Sequence, residues 1–308
     1  MAAEPAVAAA NVSAVLSRPA GVSTVLADYW AMTKPEVNFL IGITAAAGFY
    51  LASPTALSPS SLMPLLHTLL GTLLTASGAA VLNQWIEYPF DARMRRTARR
   101  AIAAGRIAPR HALTFGLSLS VAGVAVLIVT AGVLASLLAL ATLASYLLLY
   151  TPLKRITPIC TFVGAFPGAA PPLIGWAAAR GHLDPEAWLL FAIVFFWQFP
   201  HFMSIAWMYR DDYERAGYVV LPRTASRDRF ITVQTLVPLV GLVLVSLLLV
   251  HGSQRALYSI GALLLGVGFL HFGVRFASMK SGSAARQLLM ASILYLPLLL
   301  LLMSLLAG

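Results

Sequence analysis

The sequence predicts an all-α, polytopic membrane protein, a bundle of nine transmembrane helices with no soluble domain. Three observations carry this. The 308 residues are 59% hydrophobic and only 10% charged, a composition foreign to soluble domains. Nine apolar runs each approach the roughly 20 residues a helix needs to cross a bilayer. When those runs are threaded alternately, 19 of the 21 lysines and arginines fall on one side. By the positive-inside rule that side is cytoplasmic, so the N-terminus is cytoplasmic and the C-terminus opposite. The net charge of +10 is then a topology signal. Split among loops between spans, it argues against nucleic-acid binding.

The elements follow in order. Residues 1–30 are Ala-rich, with Arg18 as their one basic residue. They hold no apolar core of a cleaved signal and too few arginines for a transit peptide, so an unstructured cytoplasmic tail is expected. The remaining 31–308 form the transmembrane domain. Spans are expected at 37–53, 62–82, 112–132, 134–150, 158–179, 187–208, 230–250, 257–277 and 287–306. The turn between the third and fourth rests on Gly132. The longest cytoplasmic connections, 83–111 and 209–229, follow the second and sixth spans, which suggests two parallel four-helix repeats plus one added helix. Both would open at one cytoplasmic mouth. Cys160 is the only cysteine, which excludes intrachain disulfides and Cys-based metal sites.

The acidic residues are the chemical signal. Of eleven, five fall in two clusters: Glu87 with Asp91, and Asp211, Asp212 and Glu214. Carboxylates close to a bilayer are costly and mark function. Asn83, Glu87 and Asp91 recur every four residues, so a helix carries them on one face. Hard oxygen ligands of this kind suit Mg²⁺ shared with substrate phosphates. Pro89 is expected to kink or end that helix, which would put Asp91 on a loop folding back over the site. Alone, this triplet reads more readily as a solvated turn paired with Arg93, Arg95 and Arg96. The second cluster tips the balance, because the adjacent Asp211 and Asp212 repel unless a cation stands between them. Lys154 and Arg155, on the same side after Tyr150, suit a diphosphate leaving group, although loop anchoring explains them equally well.

These residues sit in stretches that carry a resemblance. They include Thr33-Lys34-Pro35, the Asn83-x-x-x-Glu87-x-x-x-Asp91 segment before Arg96-Thr97, and Tyr150-Thr151-Pro152-Leu153-Lys154-Arg155. They continue with Pro171-Pro172-Leu-Ile-Gly175-Trp176, Trp197-Gln-Phe-Pro200-His201-Phe, and Asp212-Tyr213-x-x-Ala216-Gly217 ending at Leu221-Pro222. From about Lys34 to Pro222 the chain resembles the UbiA superfamily of intramembrane prenyltransferases, and within it the haem-farnesylating branch. Departures are Glu87 for an aspartate, Tyr88-Pro89 for a charged pair, Ala101 for a proline and Cys160 for an asparagine.

The resemblance implies Mg²⁺-dependent transfer of a farnesyl group from farnesyl diphosphate to a vinyl group of haem B. Glu87, Asp91 and Asp212 would hold the metal, with Asn83 and Asp211 catalytic beside them. Lys34, Arg95, Arg96, Tyr150, Lys154, Arg155, His201 and Tyr213 would bind substrates. His201, in the aromatic stretch from Trp197 to Trp207, lies roughly 15 Å along a helix from the acids and is assigned a porphyrin contact or proton transfer. Implied partners are the lipid bilayer of the cell inner membrane and haem A synthase or terminal oxidase assembly factors. A prenyltransferase for quinone precursors shares the acidic motifs and lacks the haem-type stretches. A transporter would place its charges nearer the bilayer midplane. An assembly factor without catalysis would not need two acidic clusters at one mouth.

Overall fold

The computed structural model describes residues 22–53, 59–248 and 254–306, and among them there is no strand. In chain order the helices are α1 (Val22–Met32), α2 (Pro35–Ala52), α3 (Pro59–Asp91), α4 (Pro109–Thr130) and α5 (Val133–Ala144). α5 continues through a π-helical turn, Ser145–Tyr150, and a last α turn, Thr151–Leu153. Then come α6 (Cys160–Ala169), α7 (Pro171–Arg180), α8 (Pro185–Met208), α9 (Arg210–Ala216), α10 (Arg227–Ser246), α11 (Arg255–Met279) and α12 (Gly282–Leu306). Nine segments of the described chain are long and apolar enough to cross a bilayer, α5 with its extension and α6 with α7 each counting as one. Hydrocarbon leaves no water for exposed peptide groups, so apolar runs of this length must satisfy their hydrogen bonds within helices.

Local chemistry sets the helix ends. Prolines open α2, α4, α7 and α8, where a missing N–H costs nothing. Gly132, Gly181 and Gly217 take positive φ at the breaks after α4, α7 and α9. The fifth span is one run in sequence but two helices in space, because Pro171 and Pro172 supply no N–H to continue α6. α7 then packs directly on α2. A Cβ on Gly175 would overlap the Ala45 carbonyl, and one on Gly48 the Pro172 carbonyl. Small residues allow this close backbone approach within a membrane. Outward-facing residues such as Phe39, Val129, Leu148 and Leu264 are 70–82% exposed and form the lipid surface. The main core joins Leu190, Ile193 and Met203 of α8 to Leu239, Leu242, Phe276 and Leu288 of the last three helices.

Two expectations are corrected. Residues 22–30 of the expected tail belong to α1, while residues 1–21 lie outside the described residues. α1 is fixed from a distance. Arg106 donates from Nε and Nη2 to the two Asp28 oxygens, both at 2.8 Å. Those hydrogen bonds hold the Asp28 carboxyl below its ordinary range. Tyr29 packs edge-on against Phe115 at 5.0 Å. The second correction concerns Pro89. α3 runs through it to Asp91. Placed in the last turn, Pro89 strands only the Trp85 carbonyl, and the helix ends before a second bond is lost.

Candidate active site

Asn83, Glu87 and Asp91 lie on one face of α3, and each is almost wholly buried, at 1%, 6% and 2% exposure. A buried carboxylate needs a partner, and each finds one. Lys154 Nζ donates to Glu87 Oε1 at 2.7 Å. Arg100 Nη1 reaches both Asp91 oxygens, at 2.9 and 2.8 Å. Asn83 Nδ2 donates to Thr151 Oγ1 at 3.1 Å. Burial opposes the charge on Lys154, but Tyr150 and Glu87 outweigh it and hold the ammonium well above the usual lysine range. Lys154 also stands 4.7 Å from the Tyr150 ring centroid, and that ring packs tightly over the bare Cα of Gly164.

The second acidic segment closes on the first. Asp212, at the start of α9, is 8% exposed. It accepts from the Arg96 backbone N–H at 3.2 Å and from Arg215 Nη2 at 2.9 Å. Met94 packs with Ala216 and Tyr218. The Val219 N–H bonds the Lys154 carbonyl at 2.7 Å. Four segments therefore converge on one mouth: the end of α3, the 92–108 connection, the 150–155 turn and α9 with its exit.

The remaining expected residues divide. Arg155 lies over the Phe90 ring at 4.2 Å, and Arg96 over Tyr209 at 4.8 Å. Arg96 also reaches the Tyr213 hydroxyl at 3.4 Å. Lys34 is half-buried in a cleft of about 200 Å³ with Gln84, Arg99, Arg100 and Arg106. Burial, then Arg100 and Lys154, push its pKa down to about 7. Asp211 is not brought in: its side chain is 78% exposed and pairs with Arg210 at 3.6 Å. Arg95 is exposed. His201 lies in α8, roughly 10 Å before its C-terminus at Met208, stacked on Trp197 at 4.8 Å.

Sequence reasoning missed Arg100 and Arg215, the residues that hold Asp91 and Asp212. It also missed Tyr218, whose buried hydroxyl lies beside Glu87. Among the described residues no three acidic, His or Cys side chains are gathered to hold a metal ion; Glu87, Asp91 and Asp212 are each paired with a basic side chain. The donor set still fits Mg²⁺: hard, buried carboxylate oxygens beside cations able to take up phosphate charge.

Residues 41–304 match the UbiA prenyltransferase family. The chain is 47% identical over 278 residues to a protoheme IX farnesyltransferase of Solibacter usitatus, covering 88% of this chain and 95% of that one. With a protoheme IX farnesyltransferase of Koribacter versatilis it shares 43% identity, covering 91% and 93%. Among solved structures it resembles a digeranylgeranylglyceryl phosphate synthase, with TM-score 0.71, 15% identity and coverage of 92% and 98%. It also resembles a UbiA homolog from Archaeoglobus fulgidus bound to GPP and Mg²⁺, with TM-score 0.64, 13% identity and coverage of 90% and 99%. The chain belongs to the UbiA prenyltransferase family, the intramembrane prenyltransferases.

Proposed function

We propose that this protein transfers the farnesyl group of farnesyl diphosphate to a vinyl group of haem B, producing haem O for terminal oxidases. The observation that carries the choice of acceptor is the 47% identity with a protoheme IX farnesyltransferase along nearly the whole chain. The site supports the same chemistry.

Asp91 and Asp212, with Glu87 beside them, would hold Mg²⁺. That ion would add a Lewis acid that stabilises charge on the departing diphosphate. Lys34, Arg100, Lys154 and Arg155 stand at the same mouth and would take the anion's remaining charge. The C1–O bond of the farnesyl group breaks and diphosphate leaves with the electron pair. The surrounding apolar helices keep water from the allylic cation. The haem vinyl carbon then forms the new C–C bond. Water adds to the resulting cation and loses a proton, leaving a hydroxyethylfarnesyl substituent. An amphiphilic acceptor suits this layout, since the porphyrin face prefers lipid-like surroundings and the propionates prefer cations at the interface.

The test is direct. Membranes expressing the chain are supplied with haem B and farnesyl diphosphate, and the haems are extracted for mass spectrometry. Farnesylated haem is expected. Product from a hydroxybenzoate acceptor with none from haem B would replace this reading with quinone-precursor prenylation.

A further inference from the structure

Ser292 of α12 is clamped by two residues of α8. Trp197 Nε1 donates to the Ser292 carbonyl at 2.7 Å. His201 Nδ1 lies 2.8 Å from the Ser292 hydroxyl oxygen, across 91 residues of sequence. Ser292 is fully buried. Its hydroxyl has one proton to give, and that proton points at the Leu289 carbonyl, 2.6 Å away in the same helix. Toward the imidazole, Ser292 therefore offers only a lone pair. His201 must be the donor, with its proton on Nδ1. A neutral imidazole carries one N–H, so Nε2 keeps the free lone pair. No described residue bonds that nitrogen, and His201 is only half-buried.

We propose that Ser292 is a positioning residue that fixes His201 as the Nδ1–H tautomer and so presents Nε2 as a ligand to the acceptor haem iron. Proteins commonly hold a metal-ligating histidine in this way, tying its other ring N–H to an oxygen acceptor. Stacking on Trp197 fixes the ring plane, and the Trp197 bond to the Ser292 backbone fixes the helix behind it. The last helix thus takes part in acceptor binding, far in sequence from both acidic segments. The iron assignment rests on haem being the acceptor; the tautomer does not.

The test uses the full-length protein. Nitrogen NMR on ¹⁵N-histidine-labelled protein reads the tautomer, with the His201 signal identified by its loss in His201→Gln. Wild type is expected as Nδ1–H, and Ser292→Ala should move toward Nε2–H while the Trp197 bond to the backbone survives. Titration with haem B should give a histidine-ligated iron spectrum. That spectrum should be lost in His201→Gln. Haem affinity should fall about 10- to 100-fold in Ser292→Ala and recover in Ser292→Thr. Binding of a non-hydrolysable farnesyl diphosphate analogue should be unchanged throughout. A wild-type Nε2–H tautomer overturns the proposal, as does haem affinity indifferent to Ser292→Ala. Farnesylated haem formed by a wild type with no histidine-ligated spectrum removes the iron-ligand role and leaves the acceptor standing.

Discussion

Glu87 and Lys154 face each other at 2.7 Å across 67 residues of sequence, with side chains only 8% and 13% exposed. The pair ties the end of α3 to the turn after α5 and brings the first acidic motif against the basic one. Its two charges depend on each other. The raised Lys154 pKa is a contribution to stability present at every pH below the ordinary lysine value, lost only as pH climbs through the folded one. Lys154 is therefore fully charged under physiological conditions.

Removing one partner leaves a buried charge. Lys154→Met should lower stability by about 3 kcal/mol. Adding Glu87→Gln to it should restore a good part of that loss, while neither variant turns over substrate. Thermal unfolding in detergent, alongside product assays, measures both effects. Equal stability of the single and double variants would break the coupling.

Lys34 gives a pH signature. Its pKa of about 7 means that the folded chain bears a penalty for its charge below pH 7, relieved as pH rises from 7 toward 10.5. A bound anion favours the charged form. Diphosphate-analogue binding above pH 7 should therefore take up a proton and weaken toward about tenfold per pH unit. The charged groups around Lys34 are Arg99, Arg100, Arg106 and Lys154 and, opposite them, Asp28, Glu36, Glu87 and Asp91. Lys34→Arg should flatten the profile. Calorimetry in buffers of different ionisation heat gives the proton count.

Asp91→Ala and Asp212→Ala should each reduce product at least about 100-fold, the scale on which electrostatic groups act on a reaction, with normal membrane levels. Asp211→Ala should lose far less, since Asp211 faces outward. Product and protein are quantified from the same membranes. Product retained in Asp91→Ala and Asp212→Ala would reduce these acids to surface charges.

Gly175→Leu should destabilise by about 3 kcal/mol or prevent assembly, because any Cβ meets the Ala45 carbonyl. Gly268→Ala has open space and should be tolerated. Detergent melting curves compare the two.

Reporter fusions after Leu306 should signal from the side opposite the cytoplasm, since nine spans is an odd number. A cytoplasmic signal there would remove one span.

The sequence made the spans legible because length and hydropathy alone decide what fits a bilayer. The i, i+4 repeat likewise put Asn83, Glu87 and Asp91 on one face. What failed was anything decided by a distant contact. α1 has little internal reason to be helical and is held through Asp28, Arg106 and Phe115. Neighbouring Asp211 and Asp212 look alike in one dimension, yet about 100° of helical rotation sends one to water and the other to the Arg96 amide. Arg100 is one of seven arginines between 93 and 110, and no local pattern singles it out. Pro89 looks more disruptive in the sequence than it is in the fold, because its cost depends on how many turns follow it.

The cation on every buried acid makes the mouth a self-compensated ion exchanger. A divalent ion arriving alone would strand Lys154 and Arg100, buried and unmatched. A diphosphate arriving alone would confront Glu87 and Asp91. Only the two delivered as a near-neutral complex let every charge trade partners without an orphan. Loose metal should thus gain little hold on the protein, and occupancy should follow the supply of the prenyl donor.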